Sequence, residues 1–209
     1  YTSIGLALGY NNNQIDIYSC SFTAPMGTIN HPDVYWLSTT IESILLGTSN
    51  GRNNKGCLYV FGAGNDGAKG DSTSFNFILN FPETIVVGAT NNKANSEKGA
   101  NSSYSETGAN LLCTAPVGDR AGELIPLFDK SYTITSGAGT SFSCPQVSGI
   151  CGVMLTLRPE LTWRDVKEIL SLSCIKNDPD SLEHPSTKTG ESSWFMNKAG
   201  RPFNLQYGF

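Results

Sequence analysis

The sequence has 209 residues, of which 39% are hydrophobic and 15% are charged, with a net charge of −4 at pH 7. This length and composition predict a globular protein with one large core, and residues 1–209 are assigned to a single domain. The acidic balance argues against a nucleic-acid partner. No apolar run approaches the roughly 18 residues that a membrane span requires.

Short apolar runs separated by polar loops predict the order of the strands. Alternating isoleucines predict a strand over residues 14–19, and a helix is expected from Pro32 until Gly47 and Gly51 end it. Four further runs fit fully buried strands. These runs are residues 58–63, 85–89, 111–115 and 132–136.

A helix is predicted to begin close to Ser141, because Pro145 is tolerated in the first turn of a helix. Gly149 and Gly152 indicate that this helix is buried against a close neighbour. A helix N-terminus offers unpaired N–H groups and partial positive charge, which suits a nucleophilic hydroxyl beside a developing oxyanion. The alternative is that Thr140 or Ser141 serves only as the helix N-cap.

A second helix follows, since Thr162 and Asp165 have the spacing of a capping box and an apolar face comes after them. Buried strands interspersed with helices predict an α/β fold with a mostly parallel sheet.

A glycine-rich turn around Asn65 has more than one interpretation. Gly62, Gly64 and Gly67 match the Gly-x-Gly-x-x-Gly pattern of dinucleotide-binding proteins. That pattern must open a helix, however, and residues 68–76 have no helical periodicity. A side-chain amide after a buried strand can instead point into a ligand cleft and donate to an oxyanion. An ordinary turn asparagine is the remaining possibility.

The segment Gly-Thr-Ser-x-x-x-Pro at residues 139–145 resembles the nucleophile motif of the subtilisin-like serine proteases. Further segments look like the kexin branch, the proprotein convertases. These are residues 16–21, 51–56, 161–166 and 200–209. The resemblance covers nearly the whole chain and corresponds to the later part of the catalytic domain. It implies a three-layer subtilisin-like α/β fold with a mostly parallel central sheet.

The resemblance also implies roles for individual residues. Ser141 would be the nucleophile, and Asn65 with the Ser141 N–H would stabilise the oxyanion. A protein or peptide substrate would bind as an extended strand. The protein itself would be located in the secretory pathway, associated with a membrane, or outside the cell. The implied substrate-binding residues are Ser21, Phe22, Gly62, Ala63, Gly64 and Thr140.

The chain departs from the family at the other two residues of the family's catalytic triad, the Asp and the His. The two histidines, His31 and His184, each precede a proline, and neither resembles the His-Gly-Thr helix start of the family. The triad Asp and His are therefore expected on a companion N-terminal segment. The alternative is a non-catalytic binding or structural module that kept the fold and lost the chemistry.

Two further departures concern acidic residues. The counterparts of the carboxylates that recognise basic substrates are Asn76 and residues 21–26, which contain no acid, so a preference for cleavage after basic residues is in doubt. Of the family's Ca²⁺ carboxylates, Asp71 and Glu106 have matches and one does not. Two carboxylates could still hold Ca²⁺, and the alternative is a pair of solvated loop residues.

Six cysteines occur without any Cys-x-x-Cys spacing, which argues against a zinc or redox motif. The four in apolar elements, at positions 20, 57, 144 and 151, are expected to be buried thiols. The sequence does not assign a disulfide. Asn101 begins a possible glycosylation sequon.

Overall fold

The computed structural model describes residues 2–23, 34–91, 100–119, 125–128, 130–178 and 193–209. Both histidines and the predicted helix start at Pro32 lie outside these ranges. Among the described helices, none is long and apolar enough to cross a membrane.

A parallel sheet of four strands forms the centre of the described structure. Its strands are β1 (Ile17–Cys20), β2 (Leu58–Gly62), β3 (Thr84–Thr90) and β4 (Leu111–Pro116), in the order β1–β2–β3–β4. Every residue of β2 and β3 is buried. This is the environment that uninterrupted apolar runs predict, because helices cover both faces of a parallel sheet.

Two layers of helices enclose the sheet. One contains α1 (Thr2–Leu8) and α2 (Val34–Asn54), and the other contains α3 (Thr140–Leu157) and α4 (Trp163–Ser173). Tyr59 of β2 packs in the core beneath α1 and α2, whereas its neighbour Val60 packs in the core beneath α3 and α4. The α/β class and the three-layer arrangement are thus confirmed.

One helix and two element boundaries on the α1 and α2 side differ from the sequence-based predictions. Helix α1 was not predicted. Strand β1 begins at Ile17 and not at residue 14, because the N–H groups of Gln14 and Ile15 both donate to the Asn11 carbonyl in a turn. Helix α2 continues through Gly47, where a Cβ would overlap the Tyr59 hydroxyl, so the prediction that this glycine ends the helix was wrong. The prediction for Gly51 is confirmed, because the backbone leaves the helical conformation at this residue.

The run at residues 132–136 is not a strand of the central sheet. Strand β6 (Ile134–Gly137) pairs antiparallel with β5 (Ile125–Phe128). Tyr132 adopts a left-handed φ of 59° and is 89% exposed. A second small hairpin joins β7 (Phe195–Met196) to β8 (Pro202–Phe203).

Helix α3 begins at Thr140, as predicted, but Pro145 falls in its second turn and not in its first. A proline there removes the N–H that would bond to the Ser141 carbonyl. The Ser21 hydroxyl donates to that carbonyl instead, at 2.8 Å. The replacement bond ties the start of α3 to the segment that follows β1.

The outer face of α3 is exposed within the described structure. Ile150, Val153 and Leu157 are 52%, 61% and 72% exposed. A Cβ at Gly149 would meet no atom within 4 Å, and one at Gly152 would meet only Ile17 Cδ1, at 3.9 Å. The close neighbour that the two glycines predicted is therefore absent from the described residues.

Candidate active site

The segments that follow β1 and β2 meet the N-terminus of α3 in one cleft. Cys20 and Phe61 are paired in register, so both strands leave the sheet at the same edge, where ligands of parallel sheets bind. The cleft is lined by Ser21, Phe22, Thr23, Gly62, Gly64, Asn65, Thr140 and Ser141. This set contains every predicted catalytic and substrate-binding residue except Ala63.

Ala63 lies beside the cleft without lining it. Its side chain is buried in the core beneath α1 and α2, and its N–H donates to the Val87 carbonyl at 2.9 Å. Phe22, in contrast, is 40% exposed, and its ring meets the edge of the Phe61 ring with centroids 5.9 Å apart.

The turn that precedes Ser141 is fixed by a residue that the sequence did not reveal. Gly139 has φ 140° and ψ 151°, a backbone conformation that favours glycine. Its N–H donates to the Tyr104 hydroxyl at 2.9 Å, and that hydroxyl donates to the Gly118 carbonyl at 2.8 Å. No local pattern indicates this role, because Tyr104 lies 35 residues before the glycine it holds.

The orientation of the Asn65 amide follows from its partner. The Thr140 N–H donates to Asn65 Oδ1 at 2.9 Å, and because an N–H can only donate, this bond identifies the oxygen arm of the amide. The Thr140 hydroxyl in turn accepts from the Gly64 N–H at 3.1 Å. The Nδ2 arm of Asn65 is thereby left as the donor beside the first turn of α3.

The Ser141 hydroxyl is half-buried and donates to the Ser21 carbonyl at 3.2 Å. A carbonyl oxygen can hold the hydroxyl in place but cannot take its proton. The residue is in the first helical turn, where backbone N–H groups have no partner within the helix. The described cleft therefore combines a positioned hydroxyl with backbone and amide N–H donors, and none of its described lining residues is a His, Lys, Asp or Glu.

The Glu106 carboxylate lies behind the cleft. Gly64 has φ 115°, and a Cβ there would overlap this carboxylate. Glu106 is only 4% exposed and accepts from the Asp66 N–H at 3.3 Å. Burial, and after it the negative charge of Asp71, raises the pKa of the Glu106 carboxyl to about 7.

A cation beside Glu106 and Asp71 would offset both causes of the raised pKa, and carboxylate oxygens are ligands that Ca²⁺ prefers. The two residues therefore fit the predicted ion chemically. Within the described ranges, no group of three or more His, Cys, Asp or Glu side chains is arranged to hold a metal.

The cleft contains no acidic side chain among its described lining residues. Asn76, which stands where a carboxylate was expected, is 5% exposed, and its Oδ1 accepts from the Ile78 N–H at 3.2 Å. The amide therefore stabilises its own turn.

The dinucleotide interpretation of the glycine-rich turn lacks its structural requirement. Asn65 is followed by three short 3₁₀ turns, Gly67–Lys69, Thr73–Phe75 and Ile78–Asn80, and no long helix starts in this described segment to bind a pyrophosphate.

Comparison with known proteins identifies the family to which the chain belongs. The model of the Subtilase family matches residues 1–195. The chain belongs to the subtilase family. The kexin of Candida albicans (strain WO-1) is 38% identical to this subtilase over 185 residues, which are 87% of the chain and 19% of that protein. This relative supports the predicted kexin branch.

Two further comparisons bear on the metal and on the fold. A calcium-dependent protease of Trichormus variabilis is 28% identical over 194 residues, with 80% of the chain and 28% of that protein covered. In the crystal structure of the Aeromonas sobria serine protease with its chaperone, the protease superposes on this chain with a TM-score of 0.76 at 19% sequence identity. That match covers 97% of the chain and 42% of the solved chain, and it supports the subtilisin-like fold. The chain thus spans less than a third of the length of these two curated relatives.

Proposed function

We propose that this subtilase chain forms the later part of a serine endopeptidase in which Ser141 is the nucleophile and Asn65 is the oxyanion donor. The bond from the Thr140 N–H to Asn65 Oδ1 is the observation that carries the proposal. It links the amide to the residue just before the hydroxyl and leaves Nδ2 free to donate.

In the proposed reaction, Ser141 Oγ attacks the carbonyl carbon of the peptide bond, and its proton passes to a base. The carbonyl oxygen becomes an oxyanion that accepts from Asn65 Nδ2 and the Ser141 N–H. The intermediate collapses, the base returns the proton to the leaving amine, and water then hydrolyses the acyl-enzyme by the same steps.

We infer that the base and its orienting carboxylate, the triad His and Asp, belong to a companion N-terminal segment. Two exposed surfaces of the described structure support this inference. One is the outer face of α3. The other is an apolar groove along β1, the edge strand of the described sheet. This groove is lined by Ser3, Ile4, Ala7, Leu8, Tyr18, Ser19, Cys20 and Phe22.

The proposed substrate is a protein or peptide that lies as an extended strand between residues 19–23 and residues 61–64. Because the described cleft has no acidic lining residue, a preference for Arg or Lys before the cut should be weaker than in the kexins that the chain resembles. From the same kexin likeness we propose a place in the secretory pathway, membrane-associated or extracellular.

We further propose a structural Ca²⁺ held by Asp71 and Glu106. The buried Glu106 carboxylate with its raised pKa supports this site, as does the name of the calcium-dependent relative. The ion would fix the loop behind Gly64 and thereby the position of Asn65.

The test is hydrolysis of a peptide library by the complete polypeptide. Ser141→Ala should lower kcat by roughly 10⁶-fold without unfolding the protein, whereas Ser148→Ala, two turns further along α3, should retain activity. Cleavage that survives Ser141→Ala would refute the nucleophile. A folded wild-type protein without any cleavage would favour the non-catalytic module, and strict dibasic cleavage would refute the weakened basic preference.

A further inference from the structure

One buried tyrosine contacts both turns of the proposed site, the nucleophile turn (residues 139–141) and the amide turn (residues 64–67). Tyr104 is 1% exposed and belongs to a small core cluster. Ala138 and Phe142, which flank the nucleophile turn in the chain, pack against the same cluster. Packing therefore fixes the Tyr104 ring and holds its hydroxyl in one place.

The Tyr104 hydroxyl holds the nucleophile turn. It accepts from the Gly139 N–H at 2.9 Å and donates its own proton to the Gly118 carbonyl at 2.8 Å. The Gly118 carbonyl also accepts from the Ser102 hydroxyl, at 2.8 Å. Removal of the Tyr104 hydroxyl would therefore leave Gly118 with a donor but would take the acceptor away from Gly139.

The backbone of the same residue holds the amide turn. The Gly67 N–H donates to the Tyr104 carbonyl at 3.0 Å. The two segments approach closely here, since a Cβ at Gly67 would overlap the Ser105 carbonyl. The Glu106 N–H donates to the Gly64 carbonyl at 3.3 Å, so both ends of the amide turn are bonded to one short segment.

These bonds link the two turns in a closed ring. The Thr140 N–H donates to Asn65 Oδ1 at 2.9 Å, so the turns also contact each other directly. Tyr104 completes the ring from the core. Oxyanion donors stabilise a transition state only when they are aimed at the developing charge, so a shift of one turn relative to the other would weaken catalysis.

We propose that Tyr104 is a positioning residue of this site, and that its hydroxyl sets the nucleophile turn relative to Asn65. The inference rests on the proposed function, because it concerns how the Asn65 amide and the Ser141 N–H are aimed at the oxyanion. Tyr104 itself takes no part in a chemical step. A tyrosine that only fills the core would need its ring and not its hydroxyl, and this difference can be tested.

Steady-state kinetics of the complete polypeptide measure the role of the hydroxyl. Tyr104→Phe keeps the ring, so it should lower kcat roughly 5–50-fold with KM nearly unchanged. Tyr207→Phe is the matched control and should retain the wild-type kcat. Tyr207 is 3% exposed, its hydroxyl accepts from the Asn101 N–H at 3.1 Å, and it lines a separate cavity. Equal kcat values for wild type and Tyr104→Phe would overturn the inference and leave the proposed function intact.

A double variant tests whether Tyr104 acts through the Asn65 amide. In an Asn65→Ala background, Tyr104→Phe should lower kcat by a smaller factor than in the wild type, because the donor that it aims is already gone. An undiminished factor in that background would contradict positioning through Asn65.

Amide hydrogen exchange tests the contact without relying on activity. The Gly139 N–H should be protected in the wild type and in Tyr207→Phe, and Tyr104→Phe should speed its exchange by about 10-fold or more. Exchange of the wild-type Gly139 N–H at the rate of an unprotected amide would overturn the inference, even if Tyr104→Phe did not fold. A wild type that protects Gly139 but cleaves no peptide would refute the proposed function and not the contact.

Discussion

The two faces of α3 are both apolar, yet only one of them is packed. Cys144, Val147 and Cys151 are buried against the sheet, whereas Ile150 and Val153 on the opposite side are more than half exposed. A helix that is apolar all round is typical of one that is buried on all sides. We infer from this difference that a segment outside the described residues covers the outer face of the helix.

The same asymmetry occurs at Ser141. On the side of β2, Asn65 is held by the Thr140 N–H, and Thr140 is held by Gly64. On the side of β1, the Ser21 carbonyl is the partner of the Ser141 hydroxyl among the described residues. The side that we propose for the oxyanion is built from described residues, whereas no described lining residue on the other side could act as the base.

Among the changes that test this comparison, a substitution at Asn65 should have the largest effect. Asn65→Ala in the complete polypeptide should lower kcat by roughly 10²–10³-fold with KM nearly unchanged, because the amide donates to charge that exists only in the transition state. Asn65→Asp keeps an acceptor for the Thr140 N–H but loses the donor, so it should lose a similar factor. A change confined to KM in steady-state kinetics would mean that Asn65 binds the ground state.

A smaller effect should distinguish the two faces of α3 directly. Val153→Asp should destabilise the complete polypeptide by roughly 2–4 kcal/mol if a companion segment covers the outer face, because an unpaired charge would be buried. In residues 1–209 alone the same change should be nearly neutral.

Leu172→Asp is the matched control, since Leu172 is 63% exposed on α4. It should be nearly neutral in both polypeptides when unfolding is followed in denaturant. Equal effects of Val153→Asp in the two polypeptides would show that nothing covers this face of α3.

The smallest expected effect concerns the ion. Ca²⁺ in excess should raise the free energy of unfolding of the complete polypeptide by about 1–3 kcal/mol, and Glu106→Gln should remove most of this increase. The pKa of Glu106 is about 7, and Ca²⁺ binds the deprotonated carboxylate, so the stabilisation should grow as pH rises through 7. Calorimetry at pH 5.5 and pH 8 checks this, and stabilisation that is independent of Glu106 would place the ion elsewhere.

The sequence predicted the parts of the fold that local patterns specify. The buried runs became β2, β3 and β4, and Thr162 with Asp165 forms the predicted capping box at the start of α4. The motif around Ser141 and the placement of Asn65 after a buried strand also led to residues that line one cleft.

Long-range contacts decided what the sequence did not predict. Gly47 lies inside α2, where Tyr59 leaves no room for a Cβ, and Pro145 is tolerated in a second turn because Ser21 replaces the missing bond. Tyr104 holds the turn before Ser141 across 35 residues, which no local pattern indicates. The exposed face of α3 was predicted to be buried because amino-acid spacing reports apolarity and not the presence of a neighbour.

Covalent labelling with a fluorophosphonate, performed in parallel on the complete polypeptide and on residues 1–209 alone, tests the central claim most directly. Such a reagent reacts rapidly only with a serine that has both an oxyanion hole and a base. We expect rapid labelling of the complete polypeptide at Ser141 and no activity-dependent labelling of residues 1–209. Labelling at another serine, or equally rapid labelling of residues 1–209 that depends on His31 or His184, would contradict the account.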